Sequence, residues 1–273
     1  MPFPYKTVLI TGATAGIGLA LAERMIANGI FVIAVGRRKD RLDEFVAKHG
    51  AEKATGEAFD VSDLDAMPAW VTKITKTYPT LDCIVLNAGF QRTLDFTNPS
   101  AINLATFTSE TTTNYLSPLH MIALFLPQLI SRAPSPASII FVSSGLAIIP
   151  FPRCANYSAT KAALHSLVWT LRTQLSGPSS PHTHHIKIVE LLPPAVQTEL
   201  HPQQLDLVAA GHDRLGIPVD DYADETWADL VSDEEKDEIV HSAHRDRLGG
   251  VEDKRKEGYE GFCAMMRKLG AKV

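Results

Sequence analysis

Tyr157 and Lys161 stand four residues apart in a segment of helical period, so their side chains project as neighbours from one helix face. An ammonium beside a phenol stabilises phenolate and lowers the phenol's pKa, which equips Tyr157 to donate or accept a proton near neutral pH. Ser144 directly follows an apolar, strand-like run thirteen residues before Tyr157, and from there its hydroxyl can converge with that of the tyrosine on one carbonyl oxygen. Ser143 competes for this role, although strand alternation turns it away from its neighbour.

A second set of residues suits an anionic ligand. Thr11-Gly12-Ala13-Thr14-Ala15-Gly16-Ile17-Gly18 joins a strand-like segment to a helical one. Glycines there let the chain turn tightly and let a pyrophosphate approach the helix N-terminus, where free N–H groups and the macrodipole favour anions. The next strand ends in Gly36-Arg37-Arg38, where a carboxylate would hold the ribose 2′-hydroxyl of NAD. Arg37 instead offers a planar donor fork suited to a 2′-phosphate, which favours NADP, with Arg38 the weaker candidate. The competing reading is that both arginines solvate a helix start. Asp60-Val61 and Asn87-Ala88-Gly89 follow the third and fourth strand-like runs, at the edge where open α/β sheets bind ligands; a helix cap and a simple turn are the structural alternatives.

The elements that must position these groups alternate. Strands are expected at Thr7 to Thr11, Phe31 to Val35, Lys53 to Phe59, Leu81 to Leu86, Ser138 to Ser143 and Ile186 to Leu192, and helices at Gly16 to Asn28, Arg38 to Lys48, Leu64 to Thr77, Ala105 to Ile130 and Asn156 to Ser176. Continuous apolar runs such as Cys83 to Leu86 and Ile139 to Val142 belong to parallel strands buried on both faces. The fold class is therefore α/β, a parallel sheet with helices on both faces. After Leu192 the alternation stops. Residues 193–273 are expected to form a substrate lid and C-terminal extension of the same single domain, with Asp233 to Glu238 a solvated helix face.

With 273 residues, 45% of them hydrophobic and 21% charged, the chain reads as one globular domain, and a net charge of -5 offers no basic field for nucleic acid. Three scattered cysteines speak for a reducing, cytoplasmic setting, and no run is long and apolar enough to span a membrane. No metal is expected: His182, His184 and His185 fall in a Ser/Pro-rich stretch from Gly177 to His185 that reads as an exposed loop. Cys154 is expected to border the pocket, and Trp169 and Leu171 to be packing groups.

Together these motifs resemble the short-chain dehydrogenases/reductases over roughly residues 6 to 200, through the Thr-Gly-x-x-x-Gly-Ile-Gly turn at 11–18, Asp60, Asn87-Ala88-Gly89, Asn114, Ser144 and Tyr157-x-x-x-Lys161. The resemblance implies a Rossmann-type, doubly wound parallel sheet flanked by helices on both faces, an NAD(P) coenzyme and a catalytic set of Asn114, Ser144, Tyr157 and Lys161. Within it the tyrosine is acid/base and the serine positions the substrate oxygen. The lysine binds the nicotinamide ribose and tunes the tyrosine, and the asparagine holds a relay water. It also implies that Gly12, Thr14, Gly16, Ile17, Gly18, Asp60, Val61, Asn87, Ala88, Gly89, Pro193, Val196 and Thr198 bind the coenzyme together with Tyr157 and Lys161. Two departures stand out: Pro193-Pro194 replaces the usual Pro-Gly, removing a backbone donor, and Leu86 replaces an Asn. The activity expected is NADP(H)-dependent reduction of a ketone or aldehyde, or oxidation of the corresponding alcohol, by a homodimer or homotetramer. A coenzyme-binding sensor or scaffold without turnover and a non-redox rearrangement enzyme are the alternatives.

Overall fold

The computed structural model describes residues 3–176, 182–200, 204–209, 211 and 215–269. Along the chain run β1 (Thr7–Thr11), α1 (Gly16–Ala27), β2 (Phe31–Gly36), α2 (Lys39–His49), β3 (Ala54–Ala58), α3 (Met67–Thr77) and β4 (Cys83–Leu86). They are followed by α4 (Leu104–Thr111), α5 (Ser117–Ile130), β5 (Ala137–Val142), α6 (Ala155–Ser176), β6 (Ile186–Leu192), α7 (Leu205–Ala209), α8 (Val219–Leu230), β7 (Glu238–Val240) and α9 (Ser242–Lys268). All strand pairs are parallel, in the order β3-β2-β1-β4-β5-β6-β7. The winding reverses between β1 and β4, and a crevice opens there beyond the strands' carboxyl ends.

Burial on both faces explains the strand sequences. In β1, Val8 and Ile10 pack with residues of α1 and α2, while Leu9 packs with α3 and α5 on the other side. Each α/β boundary is set by punctuation. Gly29 (φ 77°) and Gly50 (φ 89°) take the left-handed conformation just after α1 and α2, where a side chain would be strained.

Three expectations are corrected. The helix expected from Ala105 to Ile130 is two helices joined by a wide turn at Thr112–Leu116, in which the Ser117 N–H bonds the Thr112 carbonyl five residues back. Pro118 supplies the reason: it has no N–H to give the Asn114 carbonyl, so the regular ladder is interrupted at Asn114. The third helix starts at Met67, not Leu64, behind a tight turn in which Asp63 accepts from the Ala66 N–H. The run Asp233 to Glu238 is not a helix face. It leads into β7, where Glu238, Ile239 and Val240 register with Glu190, Leu191 and Leu192.

The expected loop from Gly177 to His185 falls partly on residues 177–181, which lie outside the described residues. Among the described residues no helix is long and apolar enough to cross a membrane.

Candidate active site

The turn after β1 is built for close approach. Gly12 (φ 68°) and Gly16 (φ 56°) are left-handed. A Cβ on Gly18 would lie 2.4 Å from Asn87 Nδ2 and 2.5 Å from the Gly12 carbonyl oxygen. The Thr11 hydroxyl ties the ends of β1 and β4 together, accepting from the Asn87 and Ala88 N–H groups at 3.0 Å each and donating to the Val85 carbonyl. Asn87 Nδ2 in turn donates to the Thr11 carbonyl at 2.9 Å. The first turn of α1 has neither a side-chain cap nor an acidic residue, so its N–H groups face the crevice available to an anion.

Both arginines after β2 border the crevice. Arg37 is 73% exposed, with its guanidinium 3.7 Å from Asp60. Burial raises the Asp60 pKa, but hydrogen bonds from the Ser62 N–H and hydroxyl, with the Arg37 charge, outweigh this and hold it below its ordinary value. Arg38 lies across the glycine turn, donating to Thr14 Oγ1 at 3.0 and 2.8 Å and pairing with Glu199, which Arg41 also contacts. Gly36 makes room for this, since a Cβ there would sit 2.7 Å from Thr14 Cγ2. Neither Glu199 nor Arg41 carries a local sequence signal; both reach the site through contacts about 160 residues apart.

At the other end, Ser144 and Tyr157 both border the crevice, and Ser144 Oγ accepts from the Leu146 N–H at 3.1 Å. Lys161 Nζ lies 5.6 Å from the Tyr157 ring centroid and donates to the Val142 carbonyl at 2.8 Å. Asn114 Oδ1 accepts from the Phe90 N–H at 3.0 Å and its Nδ2 donates to the Phe90 carbonyl at 2.9 Å, which fixes the side chain. A Cβ on Gly89 would meet Asn114 Oδ1 at 3.1 Å and Lys161 Nζ at 3.7 Å, so β4, the wide turn and α6 converge at this glycine. Ser143 Oγ is buried without a hydrogen-bond partner. The carbonyl of Pro193, in the Pro-Pro departure, accepts the Gly145 N–H at 3.0 Å and braces the loop after Ser144.

One cleft of about 670 Å³ joins the two ends and takes in all the site residues named from sequence except Gly18, which packs under the turn, and Asn114, which lies behind Gly89. Cys154 does not border it. That thiol is fully buried, 3.2 Å from Gln91 Nε2. Trp169 packs against His165 and Tyr259 but also donates its indole N–H to Glu238 at 2.7 Å. Two residues that sequence reasoning missed, His244 and Arg247 of α9, also border the cleft, with the His244 ring against Gly145. No group of three or more His, Cys, Asp or Glu able to hold a metal occurs among the described residues.

The electrostatics differ from the sequence expectation. Burial pushes the Tyr157 phenol above its ordinary pKa, opposed by the neighbouring Ser144 hydroxyl. Burial also pulls Lys161 down to about 8, opposed by the nearby Glu190 charge. Desolvation disfavours both charged forms, so the phenol is a proton carrier at neutral pH and not a phenolate.

Comparison with known proteins follows the same lines. The family model for short chain dehydrogenases matches residues 6–206. An uncharacterised oxidoreductase, DltE, of Bacillus subtilis is 36% identical over 97% of this chain and 98% of its own. A short-chain dehydrogenase/reductase from Burkholderia phymatum in complex with NAD has the same fold, with a TM-score of 0.78 at 21% identity over 96% of each chain. One from Burkholderia cenocepacia in complex with NADP gives 0.74 at 23% identity, over 95% of this chain and 98% of that one. A parallel sheet carrying a glycine turn at one end of a cleft and a Ser-Tyr-Lys cluster at the other, with a family match over most of its length, makes this chain a member of the short-chain dehydrogenase/reductase family of oxidoreductases.

Proposed function

We propose that the protein is an NADP(H)-dependent reductase of ketones or aldehydes, with Tyr157 as the general acid. The observation that carries this reading is that Ser144, Tyr157 and Lys161 gather at the far end of a cleft that starts in the glycine turn, with Lys161 Nζ 5.6 Å from the Tyr157 ring centroid. The glycines fit a dinucleotide, because a Cβ at Gly12, Gly18 or Gly36 would collide with Ala88, Asn87 or Thr14 and force apart the tight turn that borders the cleft. Gly12, Gly16, Ile17 and the N-terminus of α1 hold the pyrophosphate, Arg37 and Arg38 the 2′-phosphate, and Asp60, Val61 and Asn87 the adenosine side. Gly89, Lys161, Val196 and Thr198 hold the nicotinamide side. The coenzyme, when bound, supplies the hydride.

The chain's own residues handle the oxygen. Ser144 donates a hydrogen bond that places the carbonyl oxygen beside the phenol, and Tyr157 Oη passes its proton to that oxygen as negative charge develops. The Lys161 ammonium stabilises the resulting phenolate, and the Asn114 carbonyl, to which Pro118 offers no N–H, holds the water through which a proton returns. Alcohol oxidation is the same sequence reversed.

The three described cysteines are buried free thiols, which suits a cytoplasmic protein. A second copy pairs across α5 and α6, where Leu119, Ala123, Ala159 and Ala162 face solvent.

Oxidation of NADPH and NADH, each with a panel of ketones, aldehydes and quinones, tests the reading. Arg37→Ala is expected to raise the NADPH Kd by about 10- to 100-fold and to leave the NADH Kd within about twofold, as for loss of a charge-assisted phosphate contact. Equal losses for the two coenzymes remove the phosphate assignment, and coenzyme binding without turnover across the panel removes the reductase.

A further inference from the structure

The substrate end of the cleft holds a cation that no group among the described residues neutralises. Arg247 lies on the second turn of α9 and borders the cleft together with His244. Among the described residues it has neither a hydrogen bond nor an ion pair, unlike Arg37 with Asp60 or Arg38 and Arg41 with Glu199 at the coenzyme end. Its helix offers no partner, because the positions three and four residues away are Ala243, His244, Gly250 and Val251. The first turn of α9 contains no acidic residue, so Arg247, with His244 and Arg245, sits where the helix dipole disfavours positive charge. In a chain with a net charge of -5 this arrangement is a local exception.

His244 marks where the charge is aimed. Its ring lies so close to Gly145, the residue after Ser144, that a Cβ on Gly145 would be 2.7 Å from Nδ1. That Nδ1 is buried and has no hydrogen-bond partner. Burial and the neighbouring Arg247 and His241 lower the His244 pKa, so it is a neutral hydrogen-bonding group beside a permanent cation. The helix cannot swing these groups away freely. One turn on, Leu248 packs near Gly145, and Glu252 bonds His165 of α6 at 3.0 Å in the interior.

We propose that the substrate is a carbonyl compound bearing a carboxylate, that Arg247 binds this carboxylate, and that α9 is the element selecting such acids over neutral ketones and aldehydes. The proposal rests on the reductase reading, to which it adds the substrate class. Apolar Leu146, Phe151, Leu207 and Leu215 border the same end, so the acid carries a hydrocarbon portion between or beside its two polar groups.

The test uses the full chain with NADPH and matched ketones, each supplied as the free acid, the methyl ester and the primary amide. Turnover is followed by NADPH oxidation, and binding to the enzyme–NADPH complex by nicotinamide fluorescence. The acids are expected to exceed their esters and amides by about 10- to 100-fold in kcat/KM, mainly through KM. Arg247→Leu should bring acid, ester and amide to parity while the ester rate and the NADPH Kd stay within about twofold, and Arg247→Lys should keep part of the preference. Parity in the unaltered protein, a preference that survives Arg247→Leu, or a loss that appears in the NADPH Kd overturns the proposal, the last assigning Arg247 to a coenzyme phosphate. Neutral carbonyls reduced without any preference for acids sink the carboxylate site and leave the reductase standing. Arg247-dependent binding of the acid without turnover does the reverse.

Discussion

Tyr157→Phe is expected to lower kcat for carbonyl reduction by about 10³- to 10⁴-fold while coenzyme affinity changes by no more than a few-fold, measured by NADPH oxidation and by fluorescence titration. The substitution keeps the buried ring, which is 9% exposed, and removes only the hydroxyl, so the fold has no reason to move. A residual rate within tenfold of the unaltered protein rules Tyr157 out as the proton donor. The pH dependence gives a separate reading. The phenol is held above its ordinary range and stays protonated at neutral pH, whereas Lys161 loses its charge as pH rises through about 8. If that charge stabilises the phenolate, reductive kcat/KM falls above about pH 8 and is flat below it.

His165→Leu is expected to destabilise the protein by about 3–5 kcal/mol in chemical denaturation at pH 6.5. His165 Nδ1 donates to Glu190 at 2.8 Å and Nε2 to Glu252 at 3.0 Å, and all three side chains are buried. Removing the imidazolium leaves two carboxylates in the interior, and a loss of this size is a large part of a typical domain's stability. Replacing the three residues together by Leu should recover most of it, because the interior then holds no unpaired charge. A single-variant loss below about 1 kcal/mol contradicts a charged triad.

The same triad sets a pH window. Burial lowers the His165 pKa, but the two carboxylate contacts outweigh it and push it up to about 9 from the ordinary 6.5. A group whose pKa is raised on folding stabilises fully below its unfolded value, and this contribution is lost between pH 6.5 and about 9. Lys161 has the opposite sign: its pKa is lowered to about 8, so stability returns between about pH 8 and 10.5. Stability therefore drops by roughly 2 kcal/mol from pH 6.5 to 8, at about 1.4 kcal/mol per pH unit, and is nearly level from 8 to 9.

The residues that were legible in the sequence are those whose roles follow from near neighbours. Thr11 to Gly18 announce a strand, a turn and a helix start within eight positions, and Tyr157 and Lys161 meet because a helix repeats every three to four residues. Continuous runs such as Ala137–Val142 imply a strand buried on both faces, whereas β3, with Thr, Gly and Glu in it, was placed by its turn in the strand–helix alternation; six of the seven strands were foreseen in one of these two ways. The seventh was not. Glu238–Val240 is three residues long and follows a charged run, so it is a strand only because the exposed edge of β6 pairs with it.

By itself, then, the sequence determined the sheet, the glycine turn and the spacing of Tyr157 and Lys161, because each is encoded within one or two turns of chain. Only the tertiary structure decided how those groups are charged and what surrounds them. Burial, a property of the packed whole, raises Tyr157 and lowers Lys161 against the local expectation. The Glu252 contact to His165 spans 87 residues, Glu199 reaches Arg38 across 161, and Arg247 borders the cleft only because α9 docks on α6 through Glu252 and Tyr259. Such pairings depend on how distant elements dock, and no local periodicity records that.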